Sequence, residues 1–314
     1  MQTIPAPLLR LAHSQLGTIT RAQLRSAGIS ERMLTSWVAA GIASRPGPNT
    51  VRFTGSRPRA VDDLTALLLD IGGEARASGP TAAALLGFDQ YVLRPPFHVT
   101  IQRGRAVTRV GHIIHTTSVL PRIDRAVAQG IPCTSGARTF IDLARSETPE
   151  RLTIAFDSGL RDGRFNERHL HERIVDLRSK GRFGTPKLLA VIDGSEIIRG
   201  GHSWLEREFL RLISTAGLPR PETQVALSRA GDRTVRVDAR FPGTPVVVEV
   251  LGYRFHRSSQ QLQRDVERLN ALLLDGFLPM QFTYEQIVSA PDQVVEDVRH
   301  GLSVSDVRNR RADR

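Results

Sequence analysis

The chain has 314 residues, 40% of them apolar and 24% charged, a composition that suits a soluble globular protein with room for two or three cored domains. No apolar run is long enough to span a membrane, and the single cysteine, Cys133, excludes an internal disulfide and a cysteine-built metal site. The net charge is +11, and because only Lys180 and Lys187 are lysines, arginine carries nearly all of the positive charge.

Arginine forks onto phosphate and stacks on bases, so the balance favours a nucleic-acid partner. A GC-rich genome would also write arginine for lysine, but it need not leave acids in deficit. The opening "MQTIPAPLLRLAHSQLG" lacks a basic start followed by an apolar run, so no signal peptide is expected. With one cysteine in use, a reducing cytoplasm is the expected compartment.

Residues 1–56 predict short helices and a hairpin. Thr20 with Gln23 forms a capping box for "TRAQLRSAG", which Gly28 ends. Ser30 caps a second helix, "ERMLTSWVAAG", whose Met33, Leu34, Trp37 and Val38 share one face and should pack inward. "IASRPGPNTVRF" then supplies two short extended pieces around a Gly/Pro turn. Helix, tight turn, helix, hairpin is the outline of a winged helix-turn-helix. Glu31, Arg32, Thr35 and Ser36 would then face outward, with Arg45 and Arg52 in the wing, and these residue types suit phosphate and base-edge contacts. A small helical domain that only packs or binds protein has the same outline.

Residues 57–200 predict an α+β middle domain. "AVDDLTALLLDIG" and "GPTAAALLGF" have helical character, "PFHVTIQR" and "VGHIIHTT" strand character, and "IPCTSGARTFIDLA" reads as a loop into a helix. Between Asp89 and Asp124 there is no acid, while Arg94, Arg103, Arg105, Arg109 and Arg122 accompany His98, His112 and His115. Such a stretch suits a nucleic-acid-facing sheet or a strand edge guarded by arginines. His112 and His115 lack the companion ligands of a zinc site. Two polar-faced helices with glycine breaks follow, and "GGHS" at 200–203 reads as a hinge.

Residues 201–302 predict an α/β domain in the order helix, three strands, helix, strand, helix. Its first helix has an apolar stripe of Leu205, Phe209, Leu212, Ile213 and Ala216. The hairpin "RVDARFPGTPVVVEVLGYRFH" places Asp238 and Glu249 in otherwise apolar strands. Val235, Val237, Ala239 and Phe241 point one way, and Arg236, Asp238 and Arg240 the other. A Pro-Gly-Thr-Pro loop would pair Phe241 with Val246 and set Asp238 across from Glu249, with Cβ atoms roughly 4.5–5.5 Å apart. Facing like charges destabilise a strand pair, and a divalent cation held between the carboxylates reverses the sign. Arg236 and Arg240, flanking the acids on an exposed face, would neutralise them without a metal.

"VDARF", "VVVEVLGYRFH", "QRDVERLNALLLDGF" and "FTYEQIV" together resemble the PD-(D/E)XK nuclease superfamily, and within it a bacterial family related to the very-short-patch repair endonuclease. The likeness covers about residues 201–290. "GTITRAQLRSAGI" and "GIPCTSGARTFIDLA" resemble the winged-helix segment of AbiEi-type antitoxins. The resemblance implies a restriction-endonuclease-like α/β/α domain at 201–302, with a basic tail at 303–314. It makes Asp238, Glu249 and the backbone carbonyl of Val250 ligands of Mg²⁺ or Mn²⁺, Glu206 the acid orienting a metal-bound water, and His256 a general base or phosphate contact. Arg264 and Asp265 would brace the site, and Arg236, Arg254 and Arg264 would hold the DNA backbone. Two positions depart from the pattern: Leu251 stands where the superfamily has Lys, and Gln281 where the family has Arg.

The expectation is a metal-dependent DNA endonuclease targeted by a winged helix. The alternative is a DNA-binding regulator, antitoxin-like, whose nuclease fold has decayed into a scaffold. DNA and, for the alternative, a cognate toxin are the implied partners, with no membrane and no small-molecule cofactor.

Overall fold

A computed structural model describes residues 4–55, 58–177, 184–198, 204–227, 235–251 and 259–312. The chain divides into two compact units, Met1–Phe165 and Asn166–Arg314, where composition had suggested three blocks with a break near 200. The first unit opens with α1 (Ala6–Ser14), β1 (Thr18–Thr20), α2 (Arg21–Ser26), α3 (Glu31–Ala39), β2 (Ala43–Gly47) and β3 (Thr50–Phe53). The local signals act as expected. The Thr20 hydroxyl accepts from the Gln23 N–H while the Gln23 side chain accepts from the Thr20 N–H, and the Ser30 hydroxyl accepts from the Met33 N–H. The three strands form a sheet in the order β1-β3-β2. Leu8, Ile19, Leu24, Leu34, Trp37 and Val51 make the core beneath it, with Met33 and Val38 at its edge. Side chains of this size stabilise by roughly 1.5–3 kcal/mol each on burial.

The same unit continues through α4 (Ala60–Ile71), β4 (Arg76–Ala77), α5 (Gly79–Leu86), β5 (His98–Gln102), β6 (Ile113–Thr117), β7 (Arg125–Ala128), β8 (Ile131–Thr134), α6 (Gly136–Leu143) and α7 (Pro149–Arg161). Five strands form one mixed sheet, ordered β6-β5-β4-β8-β7. β4 and β7 are too short to leave a periodic signature, and "IPCT", expected as loop, is β8. Within α6 the buried Arg138 is held by Asp124 at 3.0 Å and Asp142 at 2.8 Å.

The second unit has α8 (Glu167–Leu177), α9 (Thr185–Ile198), α10 (Trp204–Thr215), β9 (Glu222–Leu227), β10 (Val235–Arg240), β11 (Val246–Leu251), α11 (Ser259–Leu274), β12 (Leu278–Thr283), α12 (Tyr284–Ser289) and α13 (Pro291–Ala312). α8 belongs here because His171 stacks on Trp204 of α10 and hydrogen-bonds the Tyr284 hydroxyl of α12 at 2.6 Å. The sheet runs β12-β11-β10-β9, antiparallel except for the β11–β12 pair, which is parallel with α11 between its strands. β10 alternates buried positions with the exposed Arg236 and the half-buried Asp238 and Arg240, whereas Val246–Glu249 of the interior strand β11 are all buried, as expected for a strand covered on both faces. The segment 303–312, expected as a tail, continues α13; no proline follows Pro291 to stop it.

Candidate functional site

Two surfaces carry the residues singled out from the sequence. On the first, α3 presents Arg32, Thr35 and Ser36 to solvent because Leu34 and Trp37 are turned into the core. The Thr35 hydroxyl donates back to the Glu31 carbonyl at 2.9 Å, which leaves its oxygen free to accept. Arg45 stands exposed in the wing, 4.0 Å from Glu31. Glu31 also pairs with Arg21, whose hydrogen bond holds the carboxyl below the usual range. The outward face therefore carries one acid, Glu31, that engages both Arg21 and Arg45.

Arg52 has a different place from the one expected. Its side chain is only 12% exposed; Nη1 pairs with Asp63 at 2.7 Å and Nη2 donates to the Asp62 carbonyl at 2.9 Å. It lies on β3, on the side of the hairpin that faces α4, so the guanidinium ties the wing to the first turn of that helix instead of reaching outward. Arg105 and Arg109, part of the acid-free stretch, are likewise tied to the end of α4, Arg105 while still exposed and Arg109 half-buried. Arg105 donates to the carbonyls of Ile71 and Gly72, and Arg109 pairs with Asp70 at the end of α4. A cation is favoured where a helix presents its unpaired carbonyls. Arg94, Arg103 and Arg122 of the same stretch remain exposed.

The second surface lies on the C-terminal sheet. The Phe241 N–H donates to the Val246 carbonyl at 3.1 Å, and Ala239 pairs with Val248, so the hairpin has the register expected from its loop. The ladder runs to Ala239, and at the next residue Asp238 feels the charge of Glu249. Asp238 Oδ2 accepts from the Val250 N–H at 2.8 Å, a donor that a regular ladder would direct at a carbonyl. Burial raises the Asp238 carboxyl above its ordinary range, the Val250 N–H opposes this, and Glu206 and Glu249 raise it further. Glu206, Asp238 and Val250 line one depression together with Phe209 and Thr223. Two of the acids named from the sequence, Glu206 and Glu249, thus act on the third, Asp238.

Each of them also has a protein partner. Glu249 Oε2 accepts from Gln281 on the neighbouring β12 at 3.0 Å, and Oε1 pairs with Arg268 of α11 at 2.5 Å. Arg268 also donates to the Arg236 carbonyl of β10. Glu206 Oε2 accepts from Gln224 at 2.8 Å, and Gln224 itself sits at φ +54°, an uncommon conformation for a residue other than glycine. Among the described residues no three Asp, Glu, His or Cys side chains are grouped to hold a metal ion. As placed, the carboxylate oxygens accept from Gln224, Gln281 and the Val250 amide, and Glu249 is also ion-paired with Arg268. Leu251 is half-buried beside Thr283. Arg236 is exposed on β10. His256 and Arg254, and the side chains of Arg264 and Asp265, lie outside the described residues.

Three participants were missed by sequence reasoning: Arg268, Gln224 and Asp70. Arg268 follows Arg264 by one helical turn, the spacing that puts two residues on one face, and this was the available signal. Nothing in the sequence marks Gln224 or Asp70.

Three helices and a three-stranded sheet with an outward-facing helix α3 give the N-terminal segment the architecture of a winged helix. Residues 7–54 match the family described as "Transcriptional regulator, AbiEi antitoxin", so the N-terminal domain is AbiEi antitoxin-like. Over 251 residues the chain is 26% identical to the uncharacterized proteins MT2308 and Rv2248 of Mycobacterium tuberculosis, covering 80% of this chain and 89% of theirs. The crystal structure of the RV2827C protein from Mycobacterium tuberculosis is similar at 13% identity and a TM-score of 0.34, over 61% of this chain and 82% of that one. No described helix is long and apolar enough to cross a membrane.

Proposed function

We propose that the protein is a DNA-binding transcriptional regulator of the AbiEi antitoxin type, working beside a cognate toxin, and that its C-terminal nuclease-like sheet is a scaffold. The observation that carries this is the match of residues 7–54 to the antitoxin-regulator family, on a domain whose Arg32, Thr35, Ser36 and Arg45 all face solvent. The partnering of Glu249 supports the scaffold part, since Oε2 already accepts from Gln281 and Oε1 is ion-paired with Arg268. Leu251, which neither polarises water nor carries a proton, supports it too.

The test is fluorescence anisotropy in EDTA, comparing the DNA upstream of the protein's own coding sequence with unrelated DNA of equal length. Preferential binding by roughly 10³-fold or more is expected for a specific regulator. Arg32→Ala should weaken it and flatten the salt dependence by about 0.9 per lost phosphate contact. Equal, weak affinity for both DNAs would sink the proposal.

A metal-dependent endonuclease is the second reading. It is favoured by the electrostatic convergence of Glu206 and Glu249 on Asp238. Supercoiled-plasmid nicking with Mg²⁺ and Mn²⁺, compared with Asp238→Ala and Glu249→Ala, separates the two. Nicking lost in both variants would establish the enzyme.

A further inference from the structure

The matched family segment ends at residue 54, yet the wing it contains is held from outside that segment. Asp70, in the last turn of α4, is 3% exposed and faces the wing turn. Its Oδ1 accepts from the Asn49 N–H at 2.5 Å and from the Thr50 hydroxyl at 3.5 Å, while its carbonyl accepts from the Asn49 side-chain amide at 3.0 Å. Its Oδ2 pairs with Arg109, which also donates to the Asp70 carbonyl. Gly47 packs so closely that an added Cβ would lie 2.5 Å from the carboxylate, so a side chain there would displace one or the other. At the opposite end of α4, Arg52 of the wing pairs with Asp63. The helix is therefore joined to the hairpin at both ends, and one of the two joints runs on to a loop of the middle sheet.

We infer that Asp70 is the positioning residue of the wing, and that Arg109 couples the wing's placement to the arginine-bearing loop between β5 and β6. Resting on the DNA-binding proposal above, this makes the DNA-binding element longer than the family segment: it includes α4 and the loop that carries Arg105 and Arg109. The physical reason is burial. A carboxylate removed from water must be satisfied by several donors, and here they come from the wing backbone on one side and a middle-domain guanidinium on the other. Losing Arg109 leaves the acid to the Asn49 amide and the Thr50 hydroxyl of the wing, and losing the Asp70 carboxylate frees the turn from its buried acceptor. Anything that binds the loop and draws Arg109 away reaches the wing through the same carboxylate.

The experiment uses the full chain with Asp70→Asn, Arg109→Ala and Gly47→Ala, and reads two quantities. The first, needing no DNA, is hydrogen exchange of the Asn49 amide, with amides of α6 as an internal control for global stability. The second is affinity for the upstream DNA fragment across a salt series. The expected result is Asn49 exchange faster by about tenfold or more in all three variants, with α6 amides unchanged. It includes affinity lower by about tenfold with an unchanged salt slope, because no phosphate contact is removed. Asn49 protection equal to the wild type in both Asp70→Asn and Arg109→Ala would overturn the inference. So would DNA affinity within twofold of wild type despite fast exchange, or a slope that falls by about one, which would make the residue a DNA contact. If the wild type shows no DNA preference while Asn49 exchange responds as expected, the regulator proposal fails and the wing coupling stands.

Discussion

Arg52 gives the sharpest separation between what its place in the sequence suggests and what the fold does with it. As a wing arginine it would contact phosphate; in the structure it is an internal tie between β3 and α4. Arg52→Ala removes the 2.7 Å pair with Asp63 and the 2.9 Å bond to the Asp62 carbonyl. Asp63 is 42% exposed, so water reclaims it and that pair is worth about 0.5–1 kcal/mol. The carbonyl bond comes from a charged donor that is 12% exposed, and its loss costs about 1.5 kcal/mol. The total is about 2 kcal/mol. For a unit of this size that corresponds to a fall of about 4–8 °C in the unfolding midpoint of the first unit.

The assay pairs Arg52→Ala with Arg45→Ala, whose side chain is 45% exposed. Thermal unfolding should separate them, with Arg52→Ala falling as above and Arg45→Ala within about 1 °C of wild type. The salt dependence of DNA binding should separate them the other way. Arg45→Ala loses about 0.9 from the slope of log K against log salt, and Arg52→Ala loses nothing from it. A slope loss of about one in Arg52→Ala, with its midpoint unmoved, would refute the assignment and restore Arg52 to the DNA face.

Glu31→Gln releases Arg21 and Arg45 and removes an acid from the recognition face, so DNA affinity at low salt should rise and the salt slope steepen; an unchanged slope would show that those arginines do not reach phosphate. Glu249→Ala removes the Arg268 ion pair and leaves Gln281 without its acceptor, and should cost about 1–3 kcal/mol in the second unit while DNA affinity holds; the check is chemical unfolding followed by anisotropy. His171 is pushed down to about 3, chiefly by burial, against an ordinary value of 6.5. Its folded form resists the proton that the unfolded chain accepts, so the stability it confers is complete above pH 6.5 and is lost as pH falls from there towards 3. By pH 4.5 roughly 2–3 kcal/mol should be gone, read by Trp204 fluorescence in a Trp37→Phe background. His171→Phe should flatten that acid limb, and an equally steep limb would assign it to another group.

Much of this was legible in the sequence because local chemistry agreed with global packing. Thr20, Gln23 and Ser30 cap the helices they were expected to cap, and the period of Leu34 and Trp37 put the right face of α3 inward. The Pro-Gly-Thr-Pro loop fixed the register that pairs Phe241 with Val246 and Ala239 with Val248. What escaped were interactions between segments far apart in sequence. Arg52 could not be told from Arg45 by type or position on a hairpin; only the arrival of α4 on one side distinguishes them. Asp70 looked like one more acid in an amphipathic helix until the wing turn and Arg109 closed over it. The unit boundary at 165/166 was missed for a similar reason, since α8 joins the second unit through His171, Trp204 and Tyr284, which are far apart in sequence.

The same distinction bears on why two carboxylates persist in a sheet that would be simpler without them. An unpaired acid at Glu249, which is 7% exposed, would be costly, so retention of the side chain requires a positive partner whatever the site's function. Arg268 supplies that charge from α11 and binds the Arg236 carbonyl as well, linking the helix to both strands of the hairpin. Once such a tie exists, removing either member alone leaves the other without its partner, so the pair can be kept by stability alone. A metal site makes the opposite demand, that the carboxylates be left open to the ion. Arg268→Ala therefore distinguishes the two histories. If the acids are kept as part of a tie, the variant is destabilised and Mn²⁺ restores part of the loss by taking the guanidinium's place. If they are kept for a metal, the wild type is already stabilised by Mn²⁺, and the variant binds it more tightly still. Thermal unfolding of wild type and variant with and without Mn²⁺ reads both, and stabilisation of the wild type by the ion would refute the scaffold proposal.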